Sequence, residues 1–196
     1  MKTVGVLALQ GDFYLHARRL EEIGVRAPLV KKPEALFQCD ALVMPGGEST
    51  TLVKLMRNIG LYEAIPEFAR EKPVFGTCAG AILLSKGVRN HPVAALGLID
   101  IDIERNAYGT QIDSFTDDID LALPDFPEAQ QVRGVFIRAP RIVRVGEAVR
   151  KVGFHRGEVV MVQSGNILAA TFHPEVAETR LIHRYFVEKM VPAPLA

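Results

Sequence analysis

Five residues restrict this chain more than any others: Gly76-Thr77-Cys78-Ala79-Gly80, set between the apolar run Pro73-Val74-Phe75 and a helical stretch beginning over Ala81 to Lys86. Gly-x-Cys-x-Gly placed directly after a short strand and before a helix is the thiol version of a nucleophile elbow. Such a turn holds its central residue in a strained backbone conformation. Its neighbours pass so close to the strand and helix that a Cβ would clash. The sulfur then sits at a helix start, where backbone N–H groups favour a thiolate and can donate to an oxyanion. Ala79 N–H is the natural first donor. The alternative is a buried cysteine packed between tight turns, and a partner base decides between the two.

The remaining pattern predicts an α/β fold. Val4 to Leu9 reads as a buried strand, and Asp12 can cap a helix whose apolar stripe is Phe13, Ala17, Leu20 and Gly24, with Gly24 a stop. Val25 to Val30 and Ala41 to Met44 read as the next strands. A helix with Leu52, Leu55, Met56 and Ile59 on one face follows Pro45-Gly46-Gly47. This rhythm predicts a mostly parallel central sheet flanked by helices in three layers. From Gly97 to Phe172 the character changes to β-type runs at Ile99 to Glu104, Val132 to Arg138, Val159 to Gln163 and Ile167 to Phe172. Turn-rich segments such as Asp117-Asp118 and Pro124-Asp125-Phe126-Pro127 separate them. Antiparallel strands added to the sheet, or a small second sheet, are expected. A closing helix carries Ile182, Tyr185, Phe186 and Met190. One domain over residues 1–196 is expected, with 192–196 a frayed tail.

Composition excludes several classes. Lys plus Arg and Asp plus Glu each total 23, so the formal net charge is zero, unlike the basic excess of a nucleic-acid binder. No apolar run reaches the roughly 18 residues of a membrane span. The run after Lys2 is barely long enough for a signal core and leads into Gln10-Gly11-Asp12, which is no cleavage site. Two cysteines, Cys39 and Cys78, make no disulfide framework, and a reducing, cytoplasmic setting follows. Cys39 reads as a small apolar residue.

A base is offered by Phe172-His173-Pro174-Glu175. Proline stiffens the segment and pushes His173 to extended geometry, so that His173 and Glu175, two apart, project to one side. A carboxylate beside an imidazole orients the ring and stabilises its cation, and the imidazole can take the thiol proton. His16 and His183 fall on predicted helices, where a solvated or packed role is expected. Pro45-Gly46-Gly47-Glu48-Ser49-Thr50 lacks the lysine and spacing of a phosphate loop. Gly47 can supply a second oxyanion donor and Glu48 can hold an ammonium group; equally, Ser49 caps a helix and the glycines only make a turn. Arg105 and Arg138 end predicted strands. Each suits carboxylate recognition, or is a solvated charge.

Together these residues resemble class I glutamine amidotransferases. The blocks Leu9-Gln10-Gly11, Pro45 to Thr51, Gly76 to Gly80, Glu104-Arg105-Asn106, Gln111 to Phe115, Gly134 to Pro140 and Phe172 to Glu175 resemble the glutaminase-subunit family of pyridoxal 5'-phosphate synthase. The resemblance implies hydrolysis of L-glutamine to L-glutamate and ammonia. It implies Cys78 as nucleophile with His173 and Glu175 as relay, and Gly47, Glu48, Ser49, Arg105, Ile137 and Arg138 in contact with glutamine. It also implies a barrel-shaped synthase partner forming a dodecameric core that takes up the ammonia. No metal or organic cofactor is expected. Two flexible glycines at an oxyanion position further suggest a loop that the partner aligns. The rival classes are a cysteine-elbow esterase or thiol-dependent stress protein, which needs neither the two arginines nor Glu48, and a non-catalytic binding subunit, against which the intact Cys, His and Glu argue.

Overall fold

The computed structural model describes residues 1–105, 114–127 and 130–193. Asn106, the Gln111-Ile112-Asp113 block and the tail from Pro194 lie outside the described residues. The strands are β1 (Val4–Leu7), β2 (Leu29–Val30), β3 (Ala41–Met44), β4 (Val74–Thr77), β5 (Ser85–Arg89), β6 (Ile99–Glu104), β7 (Ser114–Leu121), β8 (Gln131–Ile137), β9 (Arg141–Val145), β10 (Arg150–His155), β11 (Glu158–Ser164) and β12 (Ile167–Ala170). The helices are α1 (Phe13–Glu21), α2 (Pro33–Phe37), α3 (Ser49–Asn58), α4 (Leu61–Phe68), α5 (Ala79–Leu84) and α6 (Leu181–Tyr185), the last running into a π-helical turn, Phe186–Met190.

Among the described residues the main sheet has the order β2-β1-β3-β4-β12-β11-β10-β7-β8. Its first five strands are parallel neighbours, and from β12 onward each pairing is antiparallel. A second sheet, β5-β6-β9, stands apart, so both expected outcomes for the C-terminal half occur. Register makes the carboxyl ends of three neighbouring strands level: Met44 lies beside Gly76, and Thr77 beside Ala170. The loops that leave β3, β4 and β12 therefore emerge together, at the edge where open α/β sheets bind ligands.

Alternation along the buried strands fixes the layers. Leu42 and Met44 pack with Leu52, Met56 and Leu61 on one face, while Ala41 and Val43 pack with Leu20, Tyr185 and Phe186 on the other. Each such side chain, fully buried, contributes about 1.5–3 kcal/mol by leaving water. Helices α2 to α5 and the small sheet cover the first face; α1, α6 and the π turn cover the second. Among the described residues no helix is long and apolar enough to cross a membrane.

Several expected boundaries are corrected. Only Leu29–Val30 of the run Val25 to Val30 is strand, because Pro28 has no N–H to give and Arg26 makes just an isolated bridge to Thr3. The helix after the elbow spans Ala79–Leu84, not Ala81 to Lys86; Ser85 turns extended and opens β5. Of the expected face of α3, Leu52 and Met56 are buried, Leu55 is half-buried and Ile59 is exposed beyond the helix end, while Val53 is buried instead. Asp117-Asp118 is no turn but the middle of β7, where Asp117 pairs with Gly134 and Asp118 with Arg133. The side chains there are satisfied across strands, Asp117 by His155 and Arg156, and Asp118 by Arg133. Tertiary pairing thus overrides the turn propensity of Asp. The helices α2 and α4, and strands β5, β7, β9 and β10, lie outside the sequence expectation.

Candidate active site

The elbow is built by close approach. A Cβ on Gly80 would lie 2.0 Å from the Met44 carbonyl oxygen, and one on Gly76 would lie 2.6 Å from the Gly80 carbonyl carbon. Glycine at both positions lets β3, β4 and α5 pack against one another. Cys78 between them has φ 50° and ψ −108°, a strained conformation for a residue with a side chain. Its N–H donates to the Ala170 carbonyl at 2.9 Å, which ties the elbow to β12. Cys78 is only 8% exposed, and α5 begins at the next residue.

His173 comes off the end of β12 and is anchored by its N–H to the Val135 carbonyl at 2.8 Å. Its Nδ1 lies 2.6 Å from Glu175 Oε1, and the ring stands near enough to the Cys78 sulfur to be influenced by it. Burial works against an imidazolium here, but Cys78 and Glu175 outweigh it and push the His173 pKa up to about 10. Glu175 is completely buried. Burial alone would raise its pKa, yet His16 first and His173 second hold it well below the usual carboxylate range. The three side chains therefore favour a negative carboxylate, a positive imidazole and a sulfur beside it.

Gly46-Gly47-Glu48, leaving β3, faces this group. A Cβ on Gly46 would meet His173 Cε1 at 2.7 Å, and Gly47 has φ +146°, a region open to glycine. Gln10 Oε1 accepts the Glu48 N–H at 2.9 Å and so ties the loop to the segment after β1. Glu48 caps α3: its carboxylate accepts the N–H groups of Thr50 and Thr51 at 3.1 and 2.8 Å, and both hydroxyls. Desolvation opposes its charge, but these donors lower its pKa to about 2. The cap is thus Glu48 rather than Ser49, which is buried at the first helical position. Arg105, after β6, donates to Glu48 at 3.1 Å and to the His91 carbonyl at 3.0 Å.

These parts enclose a cleft of about 230 Å³, lined by Gly47, Glu48, Ser49, Cys78, Arg105, Ile137, Arg138 and His173 among others. Arg138 is exposed and held at φ 41°, left-handed for an arginine. A cleft with a thiol at its floor, a cationic imidazole beside it and two arginines at its rim has the chemistry to hold and attack a small zwitterionic amide. A model of the SNO glutamine amidotransferase family matches residues 6–192. The chain belongs to this family.

Relatives within the glutamine amidotransferase family are similar over nearly the whole chain. The pyridoxal 5'-phosphate synthase subunit PdxT of Solibacter usitatus (strain Ellin6076) is 46% identical, covering 97% of this chain and 100% of that protein. The subunit PdxT of Brevibacillus brevis is 47% identical, with 94% and 95% covered. A crystal structure of a glutamine amidotransferase superposes with a TM-score of 0.87 at 42% identity, covering 94% of this chain and 97% of that one.

Every candidate site residue reaches the cleft, its rim or the buried line behind it. Ala79 follows Cys78 at the start of α5, and Glu175 lies behind His173. Sequence reasoning missed others. Asp12 was expected to cap α1; its side chain makes no capping bond, and with Gly11 it lines the cleft. Ile82 and Pro140 also line it. His16, His183 and Thr77 form a buried polar cluster against Glu175, with His16 Nε2 3.2 Å from Glu175 Oε2. The pairs span 167 and 61 residues of sequence, so no local spacing signals them.

Proposed function

We propose that Cys78, His173 and Glu175 hydrolyse L-glutamine to L-glutamate and ammonia, and that the ammonia serves a second, synthase subunit making pyridoxal 5'-phosphate. The observation that carries the reading is the line Glu175–His173–Cys78 at the floor of a cleft rimmed by Glu48, Arg105 and Arg138. The Cys78 thiolate attacks the side-chain amide carbon, and the oxyanion is held by N–H groups of Ala79 and Gly47. Collapse of this intermediate expels ammonia, which takes its proton from His173, and leaves a thioester on Cys78. Water then gives a proton to His173 and attacks the thioester, releasing glutamate and the thiol. An imidazole kept protonated by its neighbours suits the first proton transfer.

Arg105 and Arg138 receive the substrate carboxylate. Gly47, Glu48, Ser49 and Ile137 complete the contacts, with Glu48, still charged at neutral pH, facing the ammonium group. The relatives' names speak for a synthase partner, and a dodecameric synthase core decorated by glutaminase subunits is the assembly this reading takes. Residues 1–196 act as one catalytic unit, and a reducing cytoplasm suits a working thiol. The test is ammonia release from glutamine, with and without the synthase subunit. Absence of glutamine-dependent ammonia in both arms overturns the reading.

A further inference from the structure

From Glu175, the innermost member of the triad, a buried chain of polar groups runs on through side chains that the hydrolytic steps do not use. His16, Thr77, Glu175 and His183 are all 0–1% exposed. His183 Nε2 lies 2.9 Å from His16 Nδ1. His16 Nε2 stands 3.1 Å from Thr77 Oγ1 and 3.2 Å from Glu175 Oε2. Two buried atoms have no hydrogen bond of full geometry, Glu175 Oε2 and His183 Nδ1. The charged groups facing this chain are Arg19 on α1 and Glu22 at its C-cap, which act on His183 through space, and His173 and Cys78 on the cleft side. Arg19 also donates to the Glu175 backbone carbonyl at 3.0 Å.

Satisfying the chain leaves one arrangement. A buried N–H without an acceptor is rarer than a bare lone pair, so the unpartnered His183 Nδ1 carries no proton and Nε2 does. His183 Nε2–H therefore donates to His16 Nδ1. That fixes the His16 tautomer, with its proton on Nε2, donated to Thr77 Oγ1 and held 3.2 Å from Glu175 Oε2. Glu175 Oε1 remains for His173 Nδ1–H, which turns the other ring nitrogen toward Cys78.

We propose that His16, its tautomer set by His183, is a positioning residue that holds the Glu175 carboxylate in place for His173 and so extends the triad inward by two side chains. The proposal rests on the glutaminase reading for its rate prediction, but not for its thiol chemistry. His16 packs against Oε2 of the buried Glu175, as His173 does against Oε1. Without it the carboxylate is buried with one partner fewer, takes up a proton at higher pH, and ceases to orient the imidazole.

The experiment compares His16→Leu, which removes the donor, with His16→Gln, which keeps an N–H near Nε2. Two readouts are taken over pH: kcat and KM for glutamine with the synthase present, and the rate at which iodoacetamide alkylates Cys78 in the full chain. In His16→Leu, kcat falls about tenfold or more with KM changed less than about twofold, the scale of lost outer-shell support. The acid limbs of both profiles move up by about one pH unit, as expected when a buried carboxylate loses a polar neighbour that favours its charged form. His16→Gln restores most of both. A folded His16→Leu with wild-type kcat and wild-type acid limbs overturns the proposal, as does a His16→Gln no better than His16→Leu. If His16→Leu does not fold, His183→Phe removes the N–H that sets the tautomer and must move the acid limbs the same way; unchanged limbs overturn the proposal. If the alkylation profiles shift as stated while no variant, nor the wild type, releases ammonia, the positioning role stands and the glutaminase reading falls.

Discussion

His183 and His173 are buried imidazoles whose surroundings drive them in opposite directions. Burial, helped by His16, lowers His183 to about 3, whereas Cys78 and Glu175 overcome burial and raise His173 to about 10. An unfolded His183 takes a proton near its ordinary value of 6.5 while the folded one stays neutral. Its stabilising contribution is therefore present above 6.5 and is lost as pH falls toward about 3. His173 is the reverse: its contribution is complete below 6.5 and is lost as pH rises through about 10. Denaturant midpoints measured near about pH 5, 6.5 and 9 are expected to peak at the middle value, each limb changing by at most about 1.4 kcal/mol per pH unit. His183→Phe flattens only the acid limb and His173→Gln only the alkaline one; a variant that flattens neither refutes its assignment. Cys78→Ala is expected to abolish ammonia release while leaving the fold intact by circular dichroism, and residual wild-type hydrolysis excludes the thiol route. Cys78, His173 and Glu175 were legible in the sequence because each announces itself locally, through an elbow and a two-residue alternation around Pro174. His16 was not, because its meaning depends on a helix-to-loop contact 159 positions long by number, His16 to Glu175.

At the scale of elements, the same locality separates what could be read from what could not. The parallel half followed from apolar runs such as Ala41 to Met44, buried on both faces and bounded by turn residues. Strand β7 escaped because its sequence, with Asp117, Asp118 and Asp120, has the composition of a turn, and only its pairing with β8 and β10 makes it extended. Helix α4 escaped because Pro66 lies inside it. The Gly80 contact yields a sharper expectation. With 2.0 Å between a new Cβ and the Met44 carbonyl, backbone must shift in β3 or α5. Gly80→Ala should cost at least about 1–3 kcal/mol, the range for forced overpacking, and should lower activity beyond that loss because the elbow moves with α5. Thermal melts and ammonia release on the folded fraction measure the two effects; an unperturbed melt contradicts the packing account. Glu48→Ala removes the α3 cap and should cost about 1 kcal/mol. It should also raise KM for glutamine, since the Arg105 contact and the loop after β3 lose the same carboxylate. Glu48→Gln, which keeps an acceptor for the Thr51 N–H, should recover stability more than KM.

The whole molecule brings four connections to one end of its sheet: the segment after β1, the Gly46-Gly47 loop after β3, the elbow after β4 and the His173 segment after β12. Three of these are pinned by backbone contacts or by neighbouring strands, Cys78 to Ala170, His173 to Val135, and Gly11 against Gly46 by close approach. In the Gly46-Gly47 loop, Gly46 is packed against Gly11 and His173, whereas the next peptide unit is tied to the segment after β1 by the Glu48 N–H to Gln10, beside a glycine at φ +146° that is exposed at the cleft. A peptide unit next to such a glycine can rotate with little steric penalty, and an N–H turned away from the cleft is lost as an oxyanion donor. Loss of one donor costs about 10²–10³ in turnover. A partner that seats against this end of the sheet can therefore switch the rate by fixing one loop, without touching the thiol. Adding the synthase subunit should raise kcat for glutamine by up to that factor with KM little changed. The iodoacetamide reactivity of Cys78 should stay nearly constant, because the thiol and His173 are already in contact. Equal rates with and without the partner eliminate loop alignment as the control. A parallel rise in Cys78 alkylation would place the control at the thiol rather than at the loop.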